Sequence, residues 1–169
     1  ASGPTTFCQG GTVTLTSSAA SSYLWSDGST TQSITVSSSG SFDVNVTDGN
    51  GCSATSAVTT VTVNPLPVAI IVPGGSTTFC QGGSVTLTSS TGTSYLWSDG
   101  STTQAITVSA SGSFDVVVTD GNGCSTTSST VTVTVNPLPT PVITAGGPTT
   151  FCQGGSVVLT SSPETSYLW

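Results

Sequence analysis

Apolar and hydroxyl-bearing residues alternate along most of this chain. In residues 12–18 (TVTLTSS), Val13 and Leu15 share one face while Thr12, Thr14 and Thr16 share the other. That period of two marks a half-buried strand. Residues 22–26 (SYLWS) put Tyr23 and Trp25 on one side and Leu24 on the other, and residues 31–37 carry Ile34 and Val36 on a common face. Residues 41–47 (SFDVNVT) read as one strand that buries Phe42, Val44 and Val46 and turns Asp43 and Asn45 outward. Val61 and Val63 mark a closing strand, and residues 68–72 (VAIIV) open another. Between these runs stand Gly10-Gly11, Asp27-Gly28 and Asp48-Gly49-Asn50-Gly51. Such Asp, Asn and Gly clusters are turn signals, and the last predicts a type I′ hairpin turn. Nowhere does the apolar spacing follow a helix.

The whole pattern then repeats. Seventy-two residues separate Cys8 from Cys80, Cys80 from Cys152, and Cys52 from Cys124. PTTFCQGG at residues 4–11 returns as STTFCQGG at 76–83 and PTTFCQGG at 148–155, and VTDGNGCS at 46–53 returns at 118–125. A fixed period of this length is the signature of a tandem array. The expected units are residues 1–67 with an incomplete first strand, residues 68–139, and a partial third unit at 140–169 holding strands A to C only. The third would stop at Trp169, the counterpart of Trp25 and Trp97, as if cut from a longer chain. About seven short strands per unit, with turns roughly every ten residues, fit an all-β Greek-key sandwich of the immunoglobulin-like (Ig-like) type.

Composition narrows the function. The chain has no Lys, Arg, His or Met, and its seven charges are all acidic. Nucleic-acid binding needs cations to neutralise phosphate, and anionic membranes need the same. The apolar runs are only a few residues long, far below the ~20 that span a bilayer. Without His or Lys there is no ordinary base to activate a Ser, Thr or Cys nucleophile. Asp27 and Asp48 sit in turns and Asp43 mid-strand, so no carboxylate pair has the setting a glycosidase requires. No enzyme and no cofactor is expected. Five cysteines at fixed spacing in small modules suggest an oxidising, extracellular setting.

The residues also resemble a known family. The G-x-V-x-L strand, the Y-x-W strand and the run S-G-x-F-x-V-x-V-x-D-x-x-G-C look like the Ig-like and PKD-like repeats of very large Bacteroidota surface adhesins, cargo of type IX secretion. The resemblance covers all three units and implies a sandwich whose strand-C tryptophans, Trp25 and Trp97, fill the core with Phe42 and Phe114. It also implies a bacterial cell-surface location. The usual disulfide between strands B and F is absent, since Leu15 and Val44 or Val46 stand where its cysteines would be.

A few positions invite sharper chemistry. Asp48 with Asn50, and Asp120 with Asn122, resemble calcium loops, but calcium wants 6–8 oxygens, and a turn alone accounts for these residues. Asn45-Val46-Thr47 is a glycosylation sequon that the second copy lacks, having Val117 in the place of Asn45, so it reads as chance. Gln9, beside Cys8, reads as a turn residue. Leu24 and Leu96 are expected on the solvent face, Leu24 near Asp43 and Asn45 and Leu96 near Asp115 and Val117. There Leu24, Leu96 and Val117 are candidates for lateral contact between chains.

Cysteine pairing leaves two readings. One bridge per repeat joins Cys8 with Cys52 and Cys80 with Cys124. The other follows from topology: the A–B and F–G turns of an Ig-type sandwich lie at opposite ends. A seven-residue strand spans ~23 Å, while a disulfide tolerates at most ~7 Å between Cα atoms. In a head-to-tail rod Cys8 then meets Cys124. By the same rule Cys80 would bridge forward past Trp169, Cys52 would bridge back before Ala1, and Cys152 would await a partner.

The sequence therefore points to a non-catalytic extracellular structural or adhesive protein. Its Ig-like modules would form a rigid stalk or self-associating filament, with Asn64-Pro65-Leu66-Pro67 as a stiff linker. Expected partners are neighbouring copies of the same protein and surface glycans. The rival is a set of carbohydrate-binding accessory modules of a secreted enzyme, although the alternation puts Tyr23, Trp25 and Phe42 on core faces.

Overall fold

Alternation becomes strand wherever the chain supplies a partner. The structure, a computed structural model, describes residues 1–168; Trp169 lies outside the described residues. Repeat 1 holds β1 (Thr6–Cys8), β2 (Val13–Thr16), β3 (Ser22–Trp25), β4 (Ser33–Val36), β5 (Gly40–Phe42), β6 (Val44–Thr47), β7 (Ser53–Thr55) and β8 (Thr59–Asn64). Repeat 2 holds β9 (Ile71–Pro73), β10 (Thr78–Cys80), β11 (Val85–Ser89), β12 (Ser94–Trp97), β13 (Ala105–Val108), β14 (Gly112–Phe114), β15 (Val116–Thr119), β16 (Ser125–Thr127) and β17 (Val131–Asn136). Repeat 3 contributes β18 (Ile143–Ala145) and β19 (Leu159–Ser161).

The fold is an all-β tandem of Ig-like sandwiches. In repeat 2 one layer runs β13–β11–β9 and the other runs β12–β15–β16, with a β10–β17–β14 sheet beside it. Repeat 1 matches with β2–β4, β3–β6–β7 and β1–β8–β5. The first strand is split: β9 pairs antiparallel with β11, whereas β10 pairs parallel with β17. Between the layers of repeat 2 lie Ile71, Val85, Leu87, Ile106 and Val108 against Trp97, Val116, Val118 and Val133. Repeat 1 packs Val13, Leu15, Ile34 and Val36 against Trp25, Val44 and Val61. Repeats 1 and 2 thus each own a core, and among the described residues no backbone hydrogen bond joins one to the other.

The tryptophans sit where the alternation places them. Trp25 and Trp97 are buried, and their indole N–H groups donate to Thr31 and Thr103 carbonyls at 2.8 Å. That satisfies the one polar atom the ring buries. Phe42 and Phe114 are half-buried against the cores. A Cβ on Gly40 would lie 3.1 Å from the Phe42 ring, so the ring lies over the glycine two positions back.

Four expectations change. Residues 41–47 do not form one strand: the chain breaks at Asp43, with β5 pairing to β8 and β6 pairing to β3 and β7. The strand changes partners there, and Asp43, half-buried rather than outward, exchanges hydrogen bonds with Ser26. The Asp48 turn is not type I′, which needs positive φ at both central residues. Only Gly51 of that turn has positive φ (83°), and Gly51 N–H donates to the Asp48 carbonyl at 3.2 Å. This is a type I turn with a glycine bulge. In repeat 3 the expected strand C does not form among the described residues: residues 166–168 lie in no strand. β3 and β12 pair with β6 and β15, and no counterpart of that pairing occurs in repeat 3 among the described residues. The strands β1, β10, β7 and β16 escaped the alternation, being three residues each, and β7 and β16 are also mostly polar.

Candidate functional site

The junction between the repeats is built from one end of each. The short parallel strand β1 runs beside β8, with Cys8 opposite Asn64, and Gln9 N–H donates to the Asn64 carbonyl at 2.8 Å. Parallel pairing therefore carries Cys8 to the exit of repeat 1, next to the residue that starts the Asn64-Pro65-Leu66-Pro67 linker. Gly10 takes φ of 94° and Gly11 N–H donates back to the Cys8 carbonyl at 3.0 Å. This tight turn ends the strand at the cysteine, and its positive φ is the reason for glycine at position 10.

Cys124 is held just as firmly at the entry of repeat 2. Asp120 Oδ1 accepts from the N–H groups of Asn122 and Cys124, both at 2.9 Å, and Asp120 N–H donates to the Cys124 carbonyl at 2.9 Å. The same end of the module holds the incoming chain, where Ser90 N–H meets the Ile70 carbonyl at 2.9 Å. Entry and exit thus face each other, and Cys8 bonds to Cys124 with Cα atoms 5.5 Å apart. Of the two pairings open from sequence, this is the one formed across the junction. Cys124 is fully buried, while Cys52, Cys80 and Cys152 are free and exposed.

The calcium candidates serve the turns. Asp48 Oδ1 accepts from Asn50 N–H at 2.8 Å and from Cys52 N–H at 2.9 Å. The Cys52 and then the Asn50 backbone N–H hold the Asp48 carboxyl below the usual carboxylate range, because both favour its charged form. Asn50 and Asn122 supply backbone donors rather than a cage. Among the described residues no three His, Cys, Asp or Glu side chains group as metal ligands.

The remaining candidates lie apart from the junction. Leu24 and Leu96 are exposed, opposite Asn45 and half-buried Val117 respectively. Asn45 Nδ2 donates to Thr55 Oγ1 at 2.9 Å. The aromatic residues of repeats 1 and 2 are turned inward. Tyr23 hydroxyl accepts from Ala20 N–H at 2.8 Å, and Tyr95 hydroxyl accepts from Gly92 N–H at 2.9 Å. A cleft of about 240 Å³ in repeat 1, lined by Leu15, Ser17, Trp25, Phe42 and Val44, lies where Ile71 enters the core of repeat 2. No helix among the described residues is long and apolar enough to cross a membrane.

No family model and no curated protein matches the chain. Solved structures do resemble it at the level of fold. Murine CEACAM1b aligns with 13% identity and a TM-score of 0.37, covering 78% of this chain and 96% of that one. The fibronectin(III)-like modules of Clostridium thermocellum CbhA align with 14% identity and a TM-score of 0.38, covering 78% and 89%. A structure concerned with host cell surface retention of a 1.5-MDa bacterial ice-binding adhesin aligns with 20% identity and a TM-score of 0.38, covering 83% and 65%. The chain is similar to Ig-like and fibronectin-like modules.

Proposed function

We propose that the chain is part of a non-catalytic extracellular stalk at a bacterial surface, in which successive Ig-like modules are stapled end to end. The observation that carries this reading is the bond between Cys8, at the exit of repeat 1, and Cys124, at the entry of repeat 2. A bond inside one module would stabilise that module; a bond between modules restricts how they turn about the linker. With two prolines in the four-residue linker, the junction is held by a stiff segment and a covalent staple. The output of such an array is reach.

The absence of cationic side chains and of any basic catalyst supports a structural role. An oxidising compartment supports the staple. The partners are further copies of the same protein, which low charge allows to lie side by side, and surface glycans at the far end. Inward-facing Trp25, Trp97, Tyr23 and Tyr95 leave repeats 1 and 2 without an aromatic sugar platform, which counts against the carbohydrate-binding alternative.

Negative-stain imaging of the purified, oxidised protein tests the proposal. Straight rods whose length grows with repeat number are expected. Independently tumbling beads, or strong polysaccharide binding by an isolated repeat, would overturn it. Non-reducing peptide mapping supplies the companion measurement: a Cys8–Cys52 peptide would remove the staple on which the reading stands.

A further inference from the structure

We infer that the Cys8–Cys124 bond acts as a tension bypass, so that a pull along the chain spares the core segments of repeats 1 and 2 that lie between the two cysteines. The inference rests on the stalk reading for its purpose, since a stalk that adheres is pulled. Its physics rests on connectivity alone. Tension entering at Ala1 travels the backbone to Cys8. There it has two covalent routes: the folded loop, or a disulfide crossing of 5.5 Å between Cα atoms spanning a sequence separation of 116. The short route is taut and the loop is slack.

What lies inside that loop makes the bypass effective. All seven buried core residues of repeat 1, from Val13 to Val61, fall between the two cysteines. In repeat 2 the buried cluster from Ile71 to Val118 is inside, and only Val133 lies outside. A force strong enough to peel β1 from β8, or to draw β16 and β17 out of repeat 2, removes Val133 from its core but leaves both tryptophans and the rest of the two clusters inside the unloaded loop. The places of attachment suit this role. Cys8 ends β1, and Cys124 precedes β16, so the two routes diverge at strand ends rather than in the middle of a strand.

The bypass also sets how far the chain extends. Of 169 residues, subtracting the 116-residue separation leaves 53 to be stretched. At ~3.4 Å per extended residue these give about 180 Å, against about 570 Å for the whole chain. The staple therefore shortens the maximum extension about threefold.

Single-molecule stretching of the full chain from its two ends tests this. The oxidised protein is expected to extend to no more than about 180 Å end to end before it is fully taut. The same protein in dithiothreitol, and the Cys8→Ser variant, are expected to reach about three times that length. A variant with Ser at positions 52, 80 and 152 is expected to retain the short trace, because those thiols are free. An oxidised wild-type trace as long as the reduced one would overturn the inference, as would a short trace for Cys8→Ser. If Cys8→Ser fails to fold, reduction of the wild-type protein makes the comparison on its own. Short oxidised traces from a protein that images as separate beads would sink the stalk reading and leave the bypass standing.

Discussion

Repeats 1 and 3 share the words PTTFCQGG and SYLW, yet they fold differently. Thr6–Cys8 forms β1 with Phe7 half-buried, whereas the identical residues 150–152 form no strand and Phe151 is exposed. Ser22–Trp25 forms β3, while residues 166–168 lie in no strand. Leu87 is 0% exposed and its counterpart Leu159 is 47% exposed. The missing ingredient is the second layer. β1 needs β8, β3 needs β6, and Leu15 and Leu87 need the tryptophan opposite. Among the described residues repeat 3 pairs β18 with β19, a two-stranded ribbon of the kind that is marginal by itself. Alternation is thus a permit to become a strand, and pairing decides whether it is used.

Supplying the missing partners is the strongest way to break this contrast. Extending the chain after Trp169 with a copy of residues 98–136 gives repeat 3 its strands E, F and G. Amide exchange at Phe151 is expected to slow by about a hundredfold or more, the change from an open segment to a core strand. The added cysteine is also expected to bond to Cys80, as Cys124 bonds to Cys8. Unchanged exchange at Phe151 would mean that context does not explain the difference.

Truncating the same position in two repeats gives the next largest effect. Leu87→Ala is expected to cost about 2–5 kcal/mol, the range for a buried leucine whose cavity partly collapses. Leu159→Ala is expected to stay within about 0.5 kcal/mol, as exposed substitutions do. Urea unfolding of both variants measures the gap, and equal losses would erase it.

A subtler contrast separates repeats 1 and 2. Position 20 is Ala and position 92 is Gly. A Cβ on Gly92 would lie 2.5 Å from Val118 Cγ1 and 3.0 Å from the Thr119 carbonyl. Val118 is fully buried, whereas its counterpart Val46 is half-buried and leaves room for Ala20. Gly92→Ala is expected to destabilise by about 1–3 kcal/mol through overpacking, and Ala20→Gly by about 0.4–1 kcal/mol through the unfolded chain. Thermal melts of the two variants in the oxidised protein provide the check.

The smallest effect is with pH. No His is present, so the melting temperature is expected to be flat between about pH 5 and 8. Asp48 has its folded pKa lowered by the Cys52 and Asn50 N–H groups. Its contribution is therefore complete above the unfolded carboxylate value of about 3.9 and fades as pH falls through the lower folded value. Asp48→Asn is expected to flatten that acid limb and leave the neutral plateau level. A melting temperature that drifts by several degrees between pH 5 and 8 would reveal a titrating group outside this account.

Much of the protein was legible in its residues because the deciding information was local. Period-two alternation placed Val13, Leu15, Ile34 and Trp25 on the buried faces, and the 72-residue recurrence is mirrored in the two matching buried clusters. Glycine and aspartate marked the turns, though not the turn type at Asp48, where the choice depends on how β6 and β7 come together. The cysteines were legible only through a topology: their separation of 116 residues says nothing until the ends of two sandwiches are set face to face.

Only the tertiary structure decided the rest. It broke the strand at Asp43, raised the short, mostly polar segments β7 and β16 into strands, and left Phe151 outside any core. It also chose which thiol Cys8 would meet. A side-chain pattern records which face of a strand avoids water. The backbone hydrogen bonds that make the strand, and the few ångströms that make a disulfide, belong to residues far apart in the chain.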